Sequence, residues 1–203
     1  MWRTFTTILL SLTLAMLTGC NTVLVDEPFG RPLVEHHAAK YAGLYQSGKT
    51  VLHVRQTGES TLQGACIDFG QKDGFRMLVA DIDLRYWGGK TIAFTRLNYD
   101  ASSVDPDDNE DPAMLKRWHF AYVVDSNAAW NPPRPLIFAI PRKDVFAGHV
   151  QAGRLPGQPI GNHTLLEPAA AEPLEQMLLG RGAEELFDHT EPVVFSRLST
   201  PKE

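Results

Sequence analysis

Between Tyr41 and Ile140 the chain repeats one pattern: short runs with large apolar residues at alternate positions, each stopped by turn-forming residues. A period of two belongs to strands, whose successive side chains point to opposite faces. Val51-Leu52-His53-Val54-Arg55 follows Gly48-Lys49 and ends before Gly58, and Leu62 to Phe69 closes at Gly70. Phe75 to Leu84 follows Asp73-Gly74, a pair that tolerates the positive φ of a hairpin turn. Gly88-Gly89 turns the chain into Thr91 to Tyr99, where Ile92 and Phe94 alternate with Ala93 and Thr95. An acidic loop over 100–112 leads to Trp118-His119-Phe120-Ala121-Tyr122-Val123-Val124, and Asn131-Pro132-Pro133 breaks the chain before Leu136 to Ile140. Such closely spaced strands predict an antiparallel meander curled into a barrel or sandwich.

The last third changes period. Arg142 to Ala152 places Val145, Phe146, His149 and Val150 at helical spacing, with Gly153 available to cap the end. A second helix is expected from Ala171 to Leu179, with Pro173 in its first turn and Leu174, Met177 and Leu178 on one face. Ala183 to Phe187 adds a turn, and Pro192 to Leu198 reads as a last strand. That strand is buried only by rejoining the sheet and completing it. The expected class is therefore mainly β with a few helices (α+β), the helices falling near the C-terminus before a last strand.

Gly43-Leu44-Tyr45 opens the first strand of the meander, and a helix precedes a late strand. In that outline the folded region resembles the lipocalin-type barrel, whose first strand opens on Gly-x-Trp; Tyr45 stands where that family has Trp. The resemblance implies a barrel that carries a small apolar ligand.

The N-terminus carries the three parts of an export signal: Arg3 as its only charge, an apolar run from Phe5 to Leu17, then small residues at Thr18 and Gly19. The run is shorter than the roughly 20 residues a bilayer span takes, and polar Asn21 and Thr22 follow at once. Leu17-Thr18-Gly19-Cys20 resembles the lipobox of bacterial lipoproteins, with Thr18 in place of the commoner Ala or Ser. The resemblance implies that 1–19 is a cleaved signal peptide and that Cys20 takes a diacylglyceryl group on sulfur and an acyl group on its new amine. One acyl chain anchors marginally and two or more hold firmly, at roughly 0.8 kcal/mol per buried methylene. Asn21, instead of Asp, implies the outer membrane, facing the periplasm, in a Gram-negative cell. The whole chain also resembles uncharacterised envelope lipoproteins. Residues 20–40, broken by Pro28, Gly30 and Pro32 and solvated by Asp26 and Glu27, read as a lipidated tether, and 41–199 as a single β-rich domain.

The formal charge of −5 argues against nucleic acid and against electrostatic docking on anionic lipid. With Cys20 lipidated, Cys66 is the second of only two cysteines, so no internal disulfide forms, and Ala65-Cys66-Ile67 suggests a buried inert thiol.

No residue set announces catalysis, and no metal or cofactor is implied. Asp105, Asp107, Asn109 and Asp111 alternate as calcium ligands do, but Glu110 occupies the place of the turn Gly and Lys116 that of the closing Glu, so a solvated loop is expected. His36-His37 point apart in an extended tether; His53 and His119 sit in strands, as core or surface side chains. Asn162-His163-Thr164 matches a glycosylation sequon, which carries no weight beside a bacterial lipoprotein signal. Ser60 lies in a turn without an obvious base, and no Gly-x-Ser-x-Gly elbow occurs. Asp81 and Asp83 share a strand face, a geometry acid/base work can use, but are expected to face solvent. Trp87, Trp118, Trp130, Tyr86 and Tyr122 would line a cavity or fill a core. The sequence thus points to a lipid-anchored envelope protein that binds or scaffolds, held to the membrane through Cys20 and meeting a small apolar ligand or an envelope protein. A lipocalin-like carrier and an envelope hydrolase using Asp, His or Cys66 are the alternatives.

Overall fold

The computed structural model describes residues 22–34, 38–71, 74–103, 116–124, 135–180 and 182–198. Short strands β1 (Val23–Val25) and β2 (Arg31–Pro32) precede the meander. That meander runs through β3 (Gly43–Ser47), β4 (Thr50–Gln56), β5 (Thr61–Gln71), β6 (Gly74–Trp87), β7 (Lys90–Leu97), β8 (Trp118–Val123) and β9 (Leu136–Pro141). Helix α1 (Lys143–Gln151), the hairpin of β10 (Gly157–Ile160) and β11 (His163–Leu166), and helices α2 (Ala171–Leu179) and α3 (Gly182–Leu186) follow. The last strand, β12 (Phe187–Arg197), pairs with both β9 and β3, and β8 pairs with β9. Every one of these pairings is antiparallel, so β3 to β9 and β12 close an eight-stranded barrel. The expected mainly β class, the barrel and the late closing strand are all present.

Two cores share the barrel wall. Inward-facing Tyr45, Val54, Leu62, Leu84, Ala93, Val123, Leu136 and Phe195 form one cluster, closed at one end by Leu33, Ala38 and Tyr41. Neighbouring strands close over Gly64: a Cβ there would lie 3.1 Å from Ile82 Cδ1 and 3.4 Å from Leu52 Cδ1. The second cluster lies outside, where the helices cover β7 and β8. Phe94 meets Phe120 at 5.6 Å between centroids, and Phe120 meets Phe146 edge-on at 5.7 Å. Leu174 and Leu178 of α2 and Leu186 of α3 seal this layer. The alternation of Ile92 and Phe94 with Ala93 therefore runs opposite to a simple barrel: the large residues face out under helices and the small one faces in.

The sheet forks at β8. Its first residues pair with β1 (Leu24 opposite His119, Val25 opposite Trp118), and its later ones with β9 (Tyr122 opposite Ala139). Beyond β1 the wing continues through β11, paired parallel, to β10 at the edge. Pro159 on β10 withholds a donor from that open edge.

This wing corrects the expectation of a solvated spacer over residues 20–40. Val23, Leu24 and Val25 are 0–1% exposed, Phe29 packs edge-on against Trp87 at 5.3 Å, and the Leu33 amide donates to the Leu84 carbonyl at 2.9 Å. A run of β-branched and apolar residues gains more from joining a sheet than from remaining in water. The prolines shape a strap along the barrel instead of a free tether, and the folded unit begins by Val23.

Candidate functional site

The described residues enclose a groove of about 670 Å³ outside the barrel, where β12 begins. Its floor is aromatic. Tyr122, outward on β8, meets Phe187 at 5.8 Å and His189 at 5.6 Å between centroids, and Lys90 Nζ stands 5.9 Å from the Tyr122 ring. Arg142, Glu184 and Asp188 complete a rim of mixed charge.

An irregularity in β12 forms one side of the groove. Register against β9 shifts between Asp188 and Val193, so β12 spends extra residues over that stretch and turns them away from the ladder. Asp188 Oδ1 fixes the turn by accepting from the Thr190 amide at 2.8 Å and hydroxyl at 2.6 Å. Those hydrogen bonds hold the Asp188 carboxyl below its ordinary pKa. His189 Nε2 lies 3.1 Å from the Ala183 carbonyl and donates to it, which fixes the ring against α3. The Asp188 carboxylate is thus spent on its own turn, and the His189 ring is held in place by α3. The groove suits binding of a molecule with a flat apolar part and a charged part. Pro192 within an otherwise strand-like run is the one sequence signal for such an irregularity.

The residues singled out from sequence are scattered. Cys20, His36 and His37, the stretch 105–111 and Trp130 lie outside the described residues. Cys66 is half-buried on the inward side of β5, opposite Leu52 and Leu78, a less enclosed thiol than expected. His53 is exposed on β4, and His119 lies across the barrel on β8, so the fold does not join them. His119 Nδ1 is sealed from solvent with no partner among the described residues, and burial, reinforced by repulsion from His163, lowers its pKa to about 4.

Asp81 and Asp83 do share the outer face of β6, but Asp83 does not face solvent as expected. Its carboxylate accepts from Arg85 Nε at 3.0 Å and Nη2 at 2.6 Å, and Ser60 Oγ approaches within 3.4 Å. Asp81 reaches Arg96 at 3.7 Å near the surface. Asp83 is held in a two-point pair by Arg85, whereas the looser Asp81–Arg96 pair lies at the surface, where such pairs contribute little. Of the aromatics, Trp87, Trp118 and Tyr122 join the outer core, and Tyr86 is 50% exposed. Among the described residues no group of three or more His, Cys, Asp or Glu could hold a metal, and no helix is long and apolar enough to cross a membrane. No protein-family model, characterised protein or solved structure matches the chain.

Proposed function

We propose that the chain is a lipid-anchored protein of the cell envelope, a β-barrel body facing the periplasm and acting by binding. The observation that carries this reading is Leu17-Thr18-Gly19-Cys20 at the end of an export signal. Attachment to the membrane falls to the acyl chains on Cys20, because the net charge of −5 offers little attraction to anionic lipid. Membrane fractionation tests it: Cys20→Ser should move the protein out of the membrane pellet or trap it with its signal uncleaved. A variant that stays in the membrane pellet with its signal removed, as in the parent, would refute the anchor.

The binding site in this reading is the external groove floored by Tyr122, and the partner a small molecule or an exposed segment of an envelope protein. The groove is favoured over a carrier barrel because it brings a ring face, a cation and carboxylates together at one surface, Tyr122, Lys90, Glu184 and Asp188. Native mass spectrometry of gently purified protein discriminates. A bound molecule displaced by Tyr122→Ala supports the groove, and co-purifying lipid insensitive to that change supports the barrel interior.

A further inference from the structure

Only Asn21 separates the lipidated residue from chain that the sheet already holds. The Thr22 carbonyl accepts from the Thr164 amide at 3.0 Å, its amide reaches His163 Nδ1 at 3.4 Å, and Val23 is fully buried. An extended chain gains roughly 3.3–3.6 Å per residue, so Cys20 stands within about 7 Å of the sheet. The polar layer of one leaflet is itself about 5–8 Å deep, the difference between the hydrocarbon core and the whole bilayer shared over two faces. A connection about as long as that layer is deep leaves the body no slack beyond the headgroup surface.

The element beside the exit is the β10–β11 hairpin. Val23 pairs with Thr164 and Ile160 with His163, which sets the exposed turn Gly161–Asn162 next to the point where the chain leaves for Cys20. Around the ring, β4 is the strand farthest from β8, and its outer face carries exposed His53.

We infer that the barrel lies directly against the lipid leaflet, with the Gly161–Asn162 turn in the headgroup layer and the β4 wall facing away. This rests on the lipoprotein reading above; it replaces a mobile body on a leash with a body of fixed orientation. The partner is the zwitterionic headgroup surface, met through tether length and not through charge.

The test places a fluorophore on Asn162→Cys or on His53→Cys in the full lipidated protein carrying Cys66→Ala, on phosphatidylcholine vesicles doped with headgroup-nitroxide lipid. Quenching should be several-fold stronger at 162 than at 53. Equal quenching in protein that floats with the vesicles and carries the acyl mass would overturn this orientation and leave the lipoprotein reading standing; a bare Cys20 would overturn both. A second measurement needs no cysteine change. Inserting about ten Gly and Ser residues between Asn21 and Thr22, a flexible span of roughly 17 Å, should speed amide exchange at residues 160–163 on vesicles. Exchange unchanged by the spacer would overturn the inference.

Discussion

The guanidinium of Arg197 lies 5.7 Å from the ring centroid of Tyr45 and donates to the Ala42 carbonyl at 2.9 Å. Tyr45 sits in the strand that opens the barrel and Arg197 ends the strand that closes it, opposite each other in register. The Tyr45 ring is fully buried, its hydroxyl donates to the Tyr41 carbonyl at 3.0 Å, and burial raises its pKa against the opposing pull of Arg197. The contact therefore clamps the seam. Arg197→Met keeps the stem but loses the charge and the donor, which should lower unfolding free energy by about 2 kcal/mol. In a chain this size that is a fall of roughly 4–8 °C in Tm. Arg197→Lys should recover little of it, because one ammonium cannot reach the ring and the carbonyl together. A melting curve unchanged in Arg197→Met would show that the seam does not depend on the clamp.

Gly88 and Gly89 form the β6–β7 turn with φ of 52° and 76°, so both positions favour glycine. Their surroundings differ. A Cβ on Gly88 would run into the Leu178 Cβ of α2, while one on Gly89 would meet nothing within 4 Å. Gly89→Ala should cost about 1 kcal/mol from backbone conformation alone, and Gly88→Ala at least twice that, because α2 must also shift. Urea denaturation of the two variants checks the order. Equal midpoints would mean that α2 does not press on the turn.

His119 makes stability depend on pH. Its folded pKa of about 4 lies below the unfolded value of 6.5, so the folded state disfavours the cation. This contribution is complete above the unfolded pKa and is lost as pH falls through the folded one. The loss between pH 7 and pH 4 should approach about 3 kcal/mol. His119→Gln should flatten the slope of Tm against pH over that window. Parallel slopes for parent and variant would exclude His119 as the titrating group.

Much of the barrel was legible because its strands alternate cleanly and its turns carry glycine pairs. Residues 51–55 and 136–140 fall inside β4 and β9, and Ala171 to Leu179 matches α2. Leu174 and Leu178 are buried there as helical spacing requires, and Gly153 sits at φ 67° just past α1. What escaped has a common cause. Val23–Val25 is too short to show alternation, and Pro28, Gly30 and Pro32 around it read as breakers although they shape a strap. The β10–β11 hairpin was hidden by Pro159, despite the Gly161-Asn162 turn before Thr164-Leu165-Leu166. The groove was illegible for a different reason: Lys90, Tyr122, Arg142 and His189 come from four separated parts of the chain. Pairing of β7, β8, β9 and β12 brings them together, and the register shift that leaves His189 off the β9 ladder is not encoded in periodicity.

The most direct test of the account is the mass of the N-terminal peptide of protein taken from its native membrane. The expected chain begins at Cys20, with residues 1–19 absent and a diacylglyceryl group on the sulfur. An unmodified cysteine at that position, or a chain that still carries the leader, would contradict it.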